Sequence, residues 1–152
     1  MAVIHNNRVR QRYGIDSHGP SHITIWDVDV AAEAADVSAT YLTVESEWPL
    51  SGEIICCEVN PYTTLAQNTA ITIYESDNIL TTYRVPVNIT QAAANAEKII
   101  YPVVQNTDNT GTATSGSYTR YPVHGYLTLK LSTNFIATDR VQVRLFVDTG
   151  GA

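Results

Sequence analysis

One group of residues near the start of the chain has a spacing that could support metal binding. Asp16, His18 and His22 lie close together in the sequence, and imidazoles four residues apart can share a divalent ion where the backbone turns suitably. Gly19 and Pro20 argue against a helix at this point. Solvent-facing or subunit-facing histidines are therefore the simpler interpretation, and no metal site is expected.

Two pairs of carboxylates could support acid–base chemistry or bind Ca²⁺. Asp27 with Asp29, and Glu45 with Glu47, are alternate residues of predicted strands, so each pair projects to one side. Neither pair has a histidine or a glycine-rich ligand loop beside it. We expect both to belong to a solvated outer face of a sheet.

The nucleophiles give no catalytic signature. His124 can be combined on paper with many serines, but the chain has no nucleophile elbow, phosphate-binding loop or dinucleotide fingerprint. Cys56 and Cys57 are adjacent, so in a strand they point to opposite faces and cannot pair with each other in an ordinary disulfide. We expect them to pack as small apolar side chains. The sequence therefore predicts a protein that is not an enzyme and needs no cofactor.

Aromatic residues offer a second kind of site. Nine tyrosines and two tryptophans could build a sugar-binding platform, because aromatic faces stack on sugar CH groups and tyrosine hydroxyls form hydrogen bonds. They could equally lie in the core or in subunit contacts. Tyr118 and Tyr121, next to the polar segment 105–117, are the candidate contact residues.

Charge is distributed unevenly along the chain. Residues 1–24 carry three arginines and one aspartate, whereas the remainder carries six basic and fourteen acidic residues. Such an acidic body repels nucleic acid. No apolar run is long enough to span a membrane, and residues 1–12 lack the apolar core of a signal peptide. A soluble chain made in a cytoplasm is expected.

The basic start of the chain is the remaining candidate site. Arg8, Arg10 and Arg12, followed by Tyr13, alternate along an extended segment, so the three guanidinium groups would share one side. They could pair with carboxylates of a neighbouring protein. A basic tail without a role is the alternative.

The pattern of apolar residues predicts the elements that position these groups. Residues 1–21 show no sustained apolar period and are predicted to form an extended N-terminal arm, and 22–152 a single domain. The apolar parity changes near Trp26, which suggests a β-bulge there. A hairpin is expected from Ile71 to Ile89, and a long exposed loop at 105–117. About eight short strands predict an all-β antiparallel β-sandwich or jelly roll.

Several segments resemble small accessory structural proteins encoded in the virion gene clusters of tailed phages. The resemblance covers about two thirds of the chain, from Thr40 to Val147. Its motifs are Tyr74-Glu75-Ser76-Asp77, Thr82-Tyr83-Arg84-Val85-Pro86, Ile100-Tyr101-Pro102-Val103-Val104-Gln105 and Arg120-Tyr121-Pro122-Val123-His124-Gly125-Tyr126-Leu127-Thr128-Leu129.

This resemblance implies a decoration or cement protein on the capsid surface of a virion assembled in the host cytoplasm. Such a β-sandwich is typically a homo-oligomer, often a trimer, and its terminal arm clamps neighbouring copies of the major capsid protein. Residues 1–21 would be that arm, and other virion proteins could be further partners. Two alternatives stay open: a carbohydrate-binding, tail-associated module, and a head-completion, neck or tail component.

Overall fold

The chain forms an all-β structure of antiparallel strands. The computed structural model describes residues 3–16, 19–32, 42–62, 64–76, 85–91, 96–132, 135 and 139–150. Within these ranges no helix has the length and apolar character needed to cross a membrane. The strands are β1 (Val3–Asp16), β2 (Gly19–Ala31), β3 (Leu42–Glu45), β4 (Leu50–Pro61), β5 (Thr69–Glu75), β6 (Val87–Gln91), β7 (Lys98–Ile100), β8 (Val103–Thr107), β9 (Ala113–Arg120), β10 (Pro122–Gly125), β11 (Leu127–Leu131) and β12 (Arg140–Asp148).

The strands form two sheets and a separate hairpin. The first sheet has the order β1-β2-β12-β4-β10, with β7 also paired to β4, and the second has the order β3-β11-β5-β6. Strands β8 and β9 pair with each other and form the separate hairpin. The predicted β-sandwich class is therefore confirmed. The described residues form twelve strands instead of about eight, because short strands and β1 add to those visible as apolar runs.

The core lies between the two sheets and forms one continuous cluster. Strand β12 shows the sequence pattern that produces a strand. Buried and half-buried residues alternate along its whole length, in step with the alternation in its sequence. The largest fully buried side chains come from both sheets. They include Trp26, Val28, Leu50, Ile54 and Leu145 from the first sheet, and Ile71, Ile73, Leu127, Leu129 and Leu131 from the second.

The predicted N-terminal arm is extended, but it lies in the sheet. Strand β1 pairs with β2 along its whole length, from Val3 opposite Ala31 to Asp16 opposite Gly19, with one register shift between Ile4 and Asn6. The proposed domain boundary at residue 21 falls inside β2. The alternation of β1 was hidden because polar side chains, such as Asn7, occupy its inner positions.

The expected β-bulge near Trp26 is wrong. The pairing of β2 with β12 runs without interruption from Ile23 to Ala31. The apolar parity changes there because both faces of β2 are buried. Trp26 and its inward neighbours lie in the core, whereas Ile25, Asp27 and Asp29 lie beneath side chains of adjacent strands.

The segment 105–117 is exposed, as expected, but most of it forms strands instead of a long loop. Its ends belong to β8 and β9, which pair through Gln105 opposite Tyr118 and Thr107 opposite Ala113. Nearly all side chains of this hairpin are exposed, so the segment has no apolar alternation to reveal its strands. The hairpin predicted from Ile71 to Ile89 is present as β5 paired with β6, with Ile73 opposite Val87. The predicted strand residues between 77 and 84 lie outside the described part of the chain.

Gly52 provides a test of how tightly β4 and β12 approach. Its φ is +151°, and a Cβ added there would overlap the carbonyl oxygen of Asp148 in β12. We expect Gly52→Ala to lower the free energy of unfolding by about 3 kcal/mol through overpacking and backbone strain. Urea denaturation measures this change.

Gly116→Ala is the matched control. Gly116 has a φ of +73°, but an added Cβ would meet nothing within 4 Å, so only the backbone cost of about 1 kcal/mol applies. Equal losses for the two variants would contradict the close approach of Gly52 to β12.

Candidate functional site

A cleft lies between the edge strand β1 and the β3–β4 turn. Its volume is about 550 Å³. The lining residues come from β1, β2, the β3–β4 turn, the start of β4 and the segment after β12. They are Val9, Gln11, Thr24, Trp48, Pro49, Leu50, Ser51 and Thr149, none of which is charged.

The β3–β4 turn is fixed on one side by strand β11. The backbone N–H of Ser46 donates to the carbonyl of Leu127 at 2.8 Å, and the backbone N–H of Leu127 donates back to the Ser46 hydroxyl oxygen at 3.2 Å. The same hydroxyl donates to the carbonyl of Trp48 at 2.9 Å. Ser46 is buried. The backbone that carries Trp48 is therefore held in place.

Strand β1 fixes the turn on its other side. The Nδ2 of Asn7 donates to the carbonyl of Glu45 at 2.9 Å, and the backbone N–H of Val9 donates to Oε1 of Glu47 at 2.7 Å. The Oδ1 of Asn7 accepts a hydrogen bond from Nε1 of the buried Trp26 at 2.8 Å. Glu45 and Glu47 are both exposed, as expected, but β3 ends at Glu45. The carboxylate of Glu47 therefore belongs to the turn, where it also holds the edge strand β1.

Trp48 is the residue that gives the cleft its chemistry. Its side chain is 63% exposed, although a large aromatic ring is normally much more buried. Val9 and Leu50 line the cleft together with Ser51 and Thr149. The Ser51 hydroxyl also contacts Nδ1 of His124, and the Thr149 hydroxyl donates to the carbonyl of His22. A ligand that matches this lining has an apolar face, several hydroxyl groups and no charge.

The structure places the arginines predicted to bind a partner in different environments. Arg10 donates from Nη2 to Oδ2 of Asp27 in the same chain at 3.1 Å, whereas Arg8 is exposed. Arg12 and Tyr13 are part of β1, but their side chains lie outside the described residues, as do those of Asp16 and His18. The described residues contain no group of three or more potential metal ligands.

The expectation that Asp27 and Asp29 are solvated is wrong. They are 4% and 7% exposed because long side chains of β1 and β12 cover them. Arg140 binds Asp29 through two hydrogen bonds, of 3.0 and 2.9 Å. Gln142 donates to Oδ1 of Asp27 at 3.0 Å. These carboxylates form a buried ionic layer on the outer face of the first sheet.

Tyr118 and Tyr121 do not form one site. Tyr118 is 56% exposed and lies opposite Gln105 in the β8–β9 hairpin. Tyr121 is half-buried and packs against the core. Tyr118 thus remains available to a ligand, whereas Tyr121 contributes mainly to packing.

The possible nucleophiles show no catalytic arrangement among the described residues. The Ser51 hydroxyl lies 3.2 Å from Nδ1 of His124, its cross-strand neighbour, but no carboxylate orients that imidazole within the described part. Cys57 is fully buried, and burial raises the pKa of its thiol to about 12. Cys56, half-buried on the opposite face, also has a raised pKa, chiefly because of burial. Burial of Cys57 confirms its predicted packing role.

Comparisons with known proteins add little to this geometry. No family model matches the chain, and no curated protein matches it. Two solved structures of family 29 carbohydrate-binding module variants, prepared to probe ligand recognition, align over 99% of this chain and 93% and 86% of theirs. Their identity is 8% and their TM-scores are 0.37 and 0.38. At this level of similarity they carry no weight for the function of this chain.

Substitution of Asn7 tests whether its hydrogen bond with Trp26 holds β1 in the sheet. Asn7→Ala leaves the Nε1–H of Trp26 buried without its acceptor, so we expect the free energy of unfolding to fall by about 1–3 kcal/mol. Urea denaturation followed by tryptophan fluorescence gives this value.

The neighbouring Asn6→Ala is the control, since Asn6 lies in the same strand and projects to the opposite face. A difference of less than about 0.5 kcal/mol between the two variants would show that the bond from Trp26 does not hold β1.

Proposed function

We propose that this chain is a non-catalytic carbohydrate-binding module, and that the Trp48 cleft binds a neutral sugar. The observation that carries this proposal is the 63% exposed indole of Trp48 in a cleft whose described lining residues carry no charge. Aromatic rings stack on the CH face of a sugar, and hydroxyl and amide groups bind its hydroxyls. The cleft supplies both kinds of group.

The rigidity of the cleft supports the same proposal. The turn that carries Trp48 is hydrogen-bonded to β11 through Ser46 and to β1 through Glu45 and Glu47. A site held in its binding conformation loses less conformational entropy when the ligand arrives. The smaller loss of entropy matters for sugars, because binding replaces the hydrogen bonds between sugar hydroxyls and water by similar bonds with the protein.

The volume of the cleft sets the size of the ligand. About 550 Å³ lies within the range of ordinary small-ligand sites. It suits a short stretch of a glycan chain whose remaining residues extend into solvent through the open side.

The test is a titration of neutral oligosaccharides identified on a glycan array. We expect Trp48→Ala to weaken binding at least tenfold, about 1.4 kcal/mol, because it removes the stacking surface. Isothermal calorimetry measures the affinity, and circular dichroism verifies the fold.

Tyr118→Ala is the matched control, since Tyr118 is an aromatic residue of similar exposure on the β8–β9 hairpin. We expect it to bind like the unchanged protein. Loss of binding in Tyr118→Ala alone would move the sugar site to the hairpin, and no saturable binding by the unchanged protein would refute the proposal.

A second proposed function is assembly into a virion, as a decoration protein or as a neck or tail component. One observation favours it: exposed apolar side chains cluster on and beside β8, a pattern typical of protein contacts. Tyr101 is 65% exposed, Val103 51% and Ile99 50%. We propose that these residues contact further copies of the chain.

The mass in solution tests this assembly role. A decoration protein is expected to be a trimer, whereas a neck or tail ring would be a hexamer or dodecamer, and Val103→Asp should shift either one towards monomer. Native mass spectrometry distinguishes these states. A monomer for the unchanged protein at micromolar concentration would contradict self-association through β8.

Deleting residues 1–21 would not isolate an arm. Strand β1 contributes Asn7 to Trp26 and Arg10 to Asp27, so its removal would also expose the edge of β2. Substitution of Arg8, which is exposed, probes a partner contact without that loss.

A further inference from the structure

The outer face of the first sheet carries a group of arginines on an acidic chain. The net charge of the whole chain is −6. On this face the described arginines are Arg8, Arg10, Arg140 and Arg144, and the described carboxylates are Asp27, Asp29, Glu53, Glu58 and Asp148. The arginines of β1 and β12 thus lie among carboxylates that can pair with them.

Most of these groups satisfy one another. Arg140 binds Asp29 through two hydrogen bonds, and its guanidinium carbon lies 4.5 Å from the centre of the Tyr62 ring. Asp27 accepts hydrogen bonds from Arg10 and Gln142. Neither carboxylate therefore requires a further donor.

Arg144 is the exception. Its Nε lies 3.6 Å from Oδ2 of Asp27, and its Nη1 lies 3.9 Å from Oε2 of Glu58, both too long for hydrogen bonds. Its Nε is buried without a hydrogen-bond partner in the part of the chain that the structure describes. A buried donor left unsatisfied is destabilising, and a guanidinium offers five N–H donors.

A cavity of about 350 Å³ lies directly beside Arg144. Its lining consists of Arg10, Gln11, Ile25, Arg144 and Phe146. Arg10 and Arg144 place two guanidinium groups at this cavity, and their side chains are 55% and 38% exposed. Ile25 and Phe146 provide apolar surface between them. The cavity thus combines an apolar surface with donors for an anion.

We propose that this cavity binds the carboxylate of an acidic sugar, a uronate. The carboxylate would accept hydrogen bonds from Arg10 and Arg144, and the CH face of the sugar ring would lie against Phe146. The proposal rests on the proposed carbohydrate-binding function and adds an acidic residue of the glycan as a second recognised group.

Charge and shape favour a carboxylate over other anions. A uronate carries a single negative charge, whereas a phosphate monoester carries about −1.5 to −2 at pH 7 and is repelled more strongly by Asp27 and Glu58, which lie beside the two guanidinium groups. The planar carboxylate also fits the parallel N–H groups of a guanidinium. A volume of about 350 Å³ accommodates about one sugar ring at the lower limit of small-ligand sites.

The experiment compares tri-galacturonate with its fully methyl-esterified form by isothermal calorimetry at low ionic strength. The ester keeps the sugar rings and removes the charge. We expect the acid to bind at least tenfold more tightly, and Arg144→Gln or Arg10→Gln to lower that affinity about tenfold to a hundredfold. Arg144→Lys should recover part of the loss, because it restores the charge without the planar donors.

Arg120→Gln is the matched control. Arg120 lies on β9, is half-exposed and has a 3.6 Å contact with Asp148, so its substitution removes the same charge outside the cavity. We expect it to bind tri-galacturonate like the unchanged protein, and circular dichroism confirms that all variants fold.

The results that overturn the uronate site are equal binding of acid and ester, unchanged binding by Arg144→Gln, or equal weakening by Arg120→Gln. Binding of tri-glutamate as tightly as tri-galacturonate would show an acidic peptide site instead and would also overturn it. Trp48→Ala separates the two proposals, because it should abolish neutral-sugar binding and preserve the preference for acid. Failure of the unchanged protein to bind neutral sugars would refute only the Trp48 cleft, and failure to prefer the acid over the ester would refute only the uronate site.

Discussion

Burial of strand β2 on both faces is the constraint on which the rest of the structure depends. Its inner side carries Trp26, Val28 and Val30, each no more than 1% exposed. Its outer side carries Asp27 and Asp29, which are buried almost as fully. Buried carboxylates must be paired, so the strands on either side of β2 have to supply the arginines. The positions of β1 and β12 follow from that requirement.

The same constraint gives the edge strand its two roles. The inward side of β1 supplies Asn7 to the indole of Trp26 and Val9 to the cleft, while its outward side supplies Arg10 to Asp27. Because adjacent residues of a strand point to opposite faces, one short segment contributes to a neutral cleft and to a charged cavity. The two candidate sites consequently share strand β1, and Gln11 lines both of them.

The regular parts of the fold could be predicted from the sequence, and the reasons for the failures are physical. Strands β11 and β12 have one apolar face, so alternation reveals them. Strand β1 was missed because its inner position at Asn7 is polar, and its hydrogen bonds with Trp26 and Glu45 are invisible in a linear pattern. Burial of Asp29 depends on Arg140, which is 111 residues away in the sequence. One feature of the sequence indicates that Trp48 is a functional candidate. A tryptophan beside Pro49 in a turn does not belong to the apolar alternation of a strand.

The central place of β12 has a consequence for the order of folding. It lies between β2 and β4 and bonds to both, yet it is synthesised after every other described strand. Until it emerges from the ribosome, β2 and β4 each present an unpaired edge, and contacts so distant in the chain close slowly. Open edges of this kind invite pairing with other chains. The nascent chain is therefore exposed to pairing with other chains along both β2 and β4 until β12 is made.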